Sequence, residues 1–559
     1  MPSMFIASPK RPAAVRSHTR TFIALLATVV LAACASPPTP QAPPKLVVLL
    51  VVDGLPQRQI TAYRDQLAPE GFARFLDRGA WFADAHYEHA FTVTAAGHAT
   101  LLTGAYPNRT GIIGNSWRDP ATGAPVYNTA DTSAAYIDHR TDPVDDGTSP
   151  KNLKAETVGD VLRRADAASK VIAVSGKDRG AILPAGKAGT AYMYTEDSGQ
   201  FASSTHYMKE HPSWVNVFNN AKPADRYFKT EWKPLLPDAA YARSLPDNQP
   251  WYARGGQLPA LMGSPADASP TPSFYAGLLR SPFADALALD FARAAIAGEQ
   301  LGQDASPDIL AISLSGHDYV NHAFSAESRL SHDHLLQLDR LLQAFFLDLD
   351  ARVGKGNYLA VLTADHGFMP APEVLAAQGL AAGRVSSSPM LARINAGLVA
   401  RFGPGRWASF SASSLLLDKK LIAQTQADAN VVMEEARRLL LAEPAIATAY
   451  TRRELESRSR AGEPSFDASE KSWHRDVSGD IQYTVRQNWM FGGSTGATHG
   501  SPYDYDNHVP LLMYGPAWMK PGRIDSRVHM TGLAPTLSGL LGIATPALSE
   551  GRLLPLPAP

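Results

Sequence analysis

Apolar, largely β-branched runs that stop at a polar or glycine residue recur along this chain. The first, Lys45–Gly54 (KLVVLLVVDG), is unbroken and ends at Asp53, as expected of a strand buried on both faces with a ligand at its carboxyl end. The pattern returns in Ser169–Gly180 (SKVIAVSGKDRG), Pro307–Asp318 (PDILAISLSGHD), Asn357–Gly367 (NYLAVLTADHG) and His508–Pro516 (HVPLLMYGP). Between several of these lie amphipathic stretches with helical spacing, among them NLKAETVGDVLRRADAAS and SRLSHDHLLQLDRLLQAFFLDLDARVG. TGLAPTLSGLLGIATP, near the end, reads as one more helix on the sheet. Strand, polar tip and helix in alternation predict an α/β fold with a mostly parallel central sheet. Ligand-bearing residues then collect at the carboxyl edge of that sheet, however far apart they stand in sequence.

Two stretches break the alternation. Residues from about 186 to 285 are rich in Trp, Tyr, Pro and Ser, and those from about 380 to 485 carry their own helical pattern and a charged loop (RRELESRSRAGEPSFDASEK). A ligand and a further strand return after the second stretch. Both therefore read as insertions capping one edge of a single domain over residues 45–555, and the aromatic first insertion is placed to select among substrates.

Residues 1–34 have the form of a bacterial lipoprotein signal. Lys10, Arg11, Arg16 and Arg20 precede an apolar stretch, Phe22–Ala33, that is short for a membrane span, and Leu31-Ala32-Ala33-Cys34 resembles a lipobox. Cys34, the only cysteine, would be the lipidated mature N-terminus, with the Pro-rich residues 35–44 as an extended tether. By analogy with known lipoproteins, Ala35 favours the outer membrane, so a periplasmic body held to the membrane only by its lipid is expected. With no other cysteine, disulfides and cysteine chemistry are excluded from that body. A formal net charge of −1 and the absence of any basic run speak against nucleic acid as a partner.

Candidate chemistry sits in six residues: Asp53, Asp318 and His322 in SGHDYVNH, Asp365 and His366 in LTADHG, and His499 in TGATHG. Asp318 and His322 are four apart, so on a helix they share a face and can share a metal. Asp365 and His366 follow a strand where Gly367 permits a turn. Mixed imidazole and carboxylate donors favour Zn²⁺, with Mn²⁺, Fe or Co as competitors, and the set reads as two metal sites. Thr94, in FTVTAAGHATLLTG, is followed by small residues that let a helix N-terminus approach a phosphate; alone it would read as a helix cap. A divalent metal can ionise its hydroxyl for attack. Asn115 in GIIGNSW offers an amide to a phosphoryl oxygen. Lys177 and Arg179 in SGKDRG would point the same way if the chain stays extended there. His98 is read as support for the turn at Thr94, and His317, His332 and His334 as surface residues or as groups behind the ligands.

These motifs, in this order, resemble the alkaline phosphatase superfamily, most closely its monomeric threonine-nucleophile phosphatases of bacterial periplasms (the PafA-like type). The resemblance spans residues 45–550 and implies an alkaline-phosphatase-like three-layer sandwich. It implies one zinc held by Asp318, His322 and His499 and a second by Asp53, Asp365, His366 and the Thr94 oxygen. Asn115, Lys177 and Arg179 would then clamp the phosphoryl group. The implied reaction is hydrolysis of small-molecule phosphate monoesters through a phosphothreonine. Related nucleotide phosphodiesterases lack the Lys-x-Arg pair, so Lys177 and Arg179 favour monoesters over the alternative of a phosphodiesterase or pyrophosphatase. A surface lipoprotein that binds phospho-ligands without catalysis is the other alternative. Many relatives carry Gly, Gly and Pro where this chain has Asn321, Ser325 and Ala326, which implies a differently shaped loop after Asp318.

Overall fold

The computed structural model describes residues 7–10 and 42–558; the expected signal segment and Cys34 lie outside the described residues. Residues 7–10 are exposed and carry no regular secondary structure, and the fold belongs to the unit Pro43–Pro559. Its central sheet has nine strands: β1 (Leu46–Val52), β2 (Ala80–Phe82), β3 (Val171–Ser175), β4 (Thr190–Thr195), β5 (Gln200–Ala202), β6 (Asp308–Leu314), β7 (Tyr358–Thr363), β8 (Leu511–Tyr514) and β9 (Gly522–Ile524). The spatial order is β9-β2-β8-β7-β1-β6-β3-β4-β5. The middle five, β7-β1-β6-β3-β4, are parallel, and β8 joins them antiparallel.

β1 lies between β6 and β7 and is buried at every residue, which is why its sequence is unbroken rather than alternating. Register aligns the strand ends. Val52 pairs with Leu314, Val51 with Thr363, and Ser313 with Ser175, so four strands end level with one another. The helices α1 (Thr94–Thr103) and α2 (Asp178–Ala185) pack together in one layer with Val158–Ala165 and the expected C-terminal helix, Leu533–Leu541. In the other layer Pro282–Glu299 packs on α3 (Gly316–Phe324) and α4 (Arg329–Arg352).

Two expectations need correction. The chain does not stay extended through Arg179. β3 stops at Ser175, Lys177 is the residue preceding α2, and Arg179 falls in the first helical turn, so the two cations leave the backbone in different directions. The stretch from about 186 also begins inside the sheet, as β4 and β5, and leaves it only after Ala202. Its aromatics are largely core: Trp232 is buried and donates its indole N–H to Asp333 on α4 (2.6 Å), and Tyr241 donates to the same carboxylate (2.5 Å). The stretch from about 380 to 485 folds around a hydrophobic core of its own. There Ala408–Ser411, Ser414–Leu417, Ile481–Val485 and Ile446–Thr451 form a four-stranded antiparallel sheet against Ser387–Phe402 and Ala429–Leu441.

α1 is locked to the end of β7 by one close approach. A Cβ on Gly97 would stand 2.0 Å from the backbone oxygen of Asp365. Gly97→Ala is therefore expected to push α1 off the sheet edge, lowering stability by about 1–3 kcal/mol in urea titrations and activity by more than tenfold. Wild-type behaviour of that variant would refute the contact.

Candidate active site

The level strand ends bring the candidate residues together. Asp53 follows β1, Asp365 and His366 follow β7, and Asp318 and His322 lie on α3, which follows β6. His499 enters on the segment that returns from the second excursion, and Thr94 is the first residue of α1. Thr94 does not cap that helix: the capping position belongs to Val93, and the buried Thr94 hydroxyl lies 3.5 Å from His366 Nε2.

The three carboxylates share one pattern. Asp53 Oδ2 and Asp318 Oδ2 both accept from Lys177 Nζ, at 2.8 and 2.5 Å, while Asp365 Oδ1 accepts from the N–H groups of Gly54 and His366, each at 3.1 Å. The second oxygen of each carboxylate (Asp53 Oδ1, Asp318 Oδ1 and Asp365 Oδ2) is buried and has no hydrogen-bond partner. Buried carboxylate oxygens are not left bare without cause.

The histidines show what those oxygens face. Nδ1 of His322, His366 and His499 lies 2.8–2.9 Å from the carbonyl oxygens of Ala497, Gly367 and Thr92, respectively. A carbonyl only accepts, so each Nδ1 carries a proton and Nε2 is the atom left to bind a metal, the orientation that such backing contacts impose on metal-bound histidines. His322 Nε2 and His499 Nε2 lie 3.4 and 3.7 Å from Asp318 Oδ1. His366 Nε2 lies 3.5 Å from both Asp53 Oδ1 and Asp365 Oδ2. Tetrahedral ligands at zinc-like bond lengths are separated by about 3.3 Å, close to these spacings. Donor atoms of Asp53, Asp365 and His366 lie within 4.8 Å of one another, and so do those of Asp318, His366 and His499. His366 thus stands at the junction, its ring stacked on His499 at 3.5 Å.

Electrostatics agree with a cation-binding site. Burial and the neighbouring Asp365 carboxylate raise the Asp53 pKa well above its usual range. Burial also opposes the charged form of Asp318, yet His322 and Lys177 outweigh it and hold that carboxyl well below its usual value. Burial lowers the pKa of His366 and His499, which favours the neutral state in which imidazole binds a metal.

The supporting residues fall in place around this centre. Asn115 Oδ1 accepts from the N–H of Ala95 in the first turn of α1 (2.9 Å). Lys177 is buried as the counter-cation of Asp53 and Asp318. Arg179 shares a cavity with Lys177; its Nη1 donates to the Tyr127 hydroxyl (3.1 Å), and its Nε is buried without a partner. His98 Nδ1 donates to the carbonyl of Thr94 (3.0 Å) and lies 3.2 Å from Asp365 Oδ2, while Nε2 meets Ser313 Oγ at 2.9 Å. His317, His332 and His334 are all fully buried, so the surface reading of them is wrong; they bond to Gln59, Gln66, Ser244 and each other.

The substitutions in the loop after Asp318 also have a structural meaning. Asn321 donates to Gly54 O (3.1 Å) and accepts from Ser331 (2.6 Å), tying α3 to the turn after Asp53. Ser325 takes the positive φ of 73° that a glycine would otherwise supply. Gly54 itself has φ 68°, and a Cβ there would meet Asp318 Oδ1 at 2.8 Å. Sequence reasoning missed Tyr127, which positions Arg179. It ends the second strand of the hairpin Ser116–Arg118 and Pro125–Tyr127, which begins directly after Asn115.

A model of the type I phosphodiesterase/nucleotide pyrophosphatase family matches residues 47–508, from β1 past His499. The chain belongs to that family. It is an enzyme of the alkaline phosphatase superfamily. It is 35% identical over 515 residues to the alkaline phosphatase PafA of Elizabethkingia meningoseptica, covering 91% of this chain and 93% of that protein. It is 33% identical to the alkaline phosphatase PhoV of Synechococcus elongatus, covering 92% and 93%. The crystal structure of wild-type PafA superposes with a TM-score of 0.85 at 33% identity, covering 92% of this chain and 98% of that one.

If the bare oxygens mark cation sites, single replacements (Asp53→Ala, Asp318→Ala, Asp365→Ala) will each lower the divalent metal bound per chain, measured by elemental analysis after gel filtration. Chelation should lower the melting temperature of the wild type, since ligands of the native state stabilise it by about 2.7 kcal/mol at a hundred times Kd. A wild-type chain that retains no metal would refute the assignment.

Proposed function

We propose that this enzyme hydrolyses phosphate monoesters to an alcohol and inorganic phosphate through a phosphothreonine on Thr94. One observation carries the reading: a buried threonine hydroxyl lies beside two clusters of bare carboxylate oxygens and lone-pair imidazole nitrogens. The similarity to PafA and PhoV over nine-tenths of the chain supports it.

Asp318, His322 and His499 would hold one Zn²⁺, and Asp53, Asp365 and His366 the other, with the Thr94 oxygen beside the second. Bound there, two divalent cations supply the positive charge that ionises a hydroxyl and stabilises a departing alkoxide. Thr94 Oγ1 then attacks phosphorus in line, forming the threonyl–phosphate bond as the alcohol oxygen leaves. Water hydrolyses the phosphothreonine in the second half, restoring the hydroxyl. Asn115, held by the Ala95 amide, and the cations Lys177 and Arg179 stabilise the non-bridging oxygens, where charge accumulates. A second reading, diester hydrolysis, draws on the description of the matched family; the Lys177 and Arg179 pair, suited to the extra charge of a monoester, favours the first. The N-terminal 34 residues would export the protein and anchor it through Cys34 to the outer membrane, with residues 45–555 acting as a monomer in the periplasm.

Thr94→Ala should lower turnover by at least a thousandfold, and ³²P from a labelled monoester should be trapped on the wild type in acid but not on this variant. Replacing Lys177 and Arg179 together with Ala should reduce kcat/KM for monoesters at least tenfold more than for diesters; equal losses would favour the second reading.

A further inference from the structure

In-line displacement fixes where the alcohol half of the substrate must lie. Thr94 Oγ1 stands with the cluster of Asp53, Asp365 and His366. The leaving oxygen therefore departs on the opposite side, toward Asp318, His322 and His499. His322 and His499 also line a cavity of about 390 Å³, within the range of small-molecule sites. Asn115 lines it as well, so the phosphoryl position and the cavity are continuous.

The wall of this cavity is aromatic. Phe91, Phe410, Tyr483, Trp489 and Phe491 line it. Phe410, Tyr483 and Phe491 pack on one another with ring centroids 5.7–6.3 Å apart, so the rings are set in place by their mutual contact. Among the described residues no lysine or arginine lines it, and the one carboxylate there, Asp506, accepts through Oδ2 from the amide and hydroxyl of Ser501, its Oδ1 being buried without a partner. A second cavity, at Lys177 and Arg179, has a different lining. Six carboxylates (Asp142, Asp145, Asp146, Asp178, Glu196 and Asp197) line it against three cations, Arg140, Lys177 and Arg179. Tyr127, Tyr136, Tyr194 and Tyr319 also line the second cavity, but there an uncharged ring would meet them among nine charged groups, whereas the first offers it a wall almost free of charge.

Resting on the phosphomonoesterase reading, we propose that this enzyme prefers monoesters of aromatic alcohols, with the ring seated against Phe410 and Phe491. The selecting element is then the second excursion, which contributes Phe410 and Tyr483, with Phe491 just beyond it. The Trp- and Tyr-rich first excursion contributes no residue to this cavity, contrary to the expectation from its composition.

The test compares kcat/KM for phenyl and naphthyl phosphate with that for glycerol 1-phosphate, each as a ratio of variant to wild type so that intrinsic reactivity cancels. Phe410→Ala and Phe491→Ala should each lose about tenfold or more on the aryl esters and less than threefold on glycerol 1-phosphate. Inhibition by inorganic phosphate should stay within threefold, reporting an intact phosphoryl site. Phe410→Leu, which keeps most of the packing volume, should show the same selective loss in smaller measure. Equal losses on both substrate types, or none on either, would overturn the aromatic preference while leaving the phosphatase reading in place. A metal-loaded wild type inert toward every monoester would overturn both.

Discussion

Three buried carboxylates, each with one oxygen that nothing in the protein satisfies, are crowded at the end of a parallel sheet, and the rest of the site is arranged around that strain. Asp53, Asp318 and Asp365 repel one another, and the ammonium of Lys177 reaches only two of them. Buried charge of this kind is tolerated only when paired. The neutral imidazoles of His366 and His499 add lone pairs to the same space. A pair of divalent cations would satisfy both demands together, and with them the Thr94 hydroxyl would become the nucleophile proposed above.

What holds the centre in shape is an outer layer of contacts, few of which involve charged partners. Three carbonyl oxygens fix the tautomers of three histidines. Gly54 and Gly97 allow backbone to approach where any side chain would collide, at Asp318 and at Asp365 respectively. Asn321 replaces a permissive glycine with two hydrogen bonds, and Ser325 carries the unusual backbone angle instead. The loop thereby keeps Asp318 and His322 on one helical face by a different set of interactions.

The two excursions divide the remaining work. The first is stitched onto α4 through Asp333 and buries its aromatic residues there. The second folds around its own core and lends an aromatic wall to the cavity beside His322 and His499. On the proposed reading, such rims would select the alcohol, while Lys177 and Arg179 at the sheet edge would favour the monoester.

The sequence by itself determined the α/β class, the buried β1 and the candidate donors at the sheet edge, because strand periodicity and donor type are local properties. Five of the donors and Thr94 were legible for that reason, each following an apolar run or sitting in a small-residue turn, and His322 was legible from its spacing of four to Asp318. Spacing through space was not legible. That Lys177 pairs with Asp53 and Asp318 while Arg179 turns to Tyr127 depends on where α2 begins, a matter of two residues. The burial of His317, His332 and His334 depends on α4 lying against α3 and the first excursion. Which residues face which cavity depended on how the two excursions packed: Tyr194 and Glu196 of the first line the one at Lys177 and Arg179, and Phe410 and Tyr483 of the second line the one at His322 and His499. Contacts between residues hundreds of positions apart leave no periodic trace, so only the tertiary structure decided them.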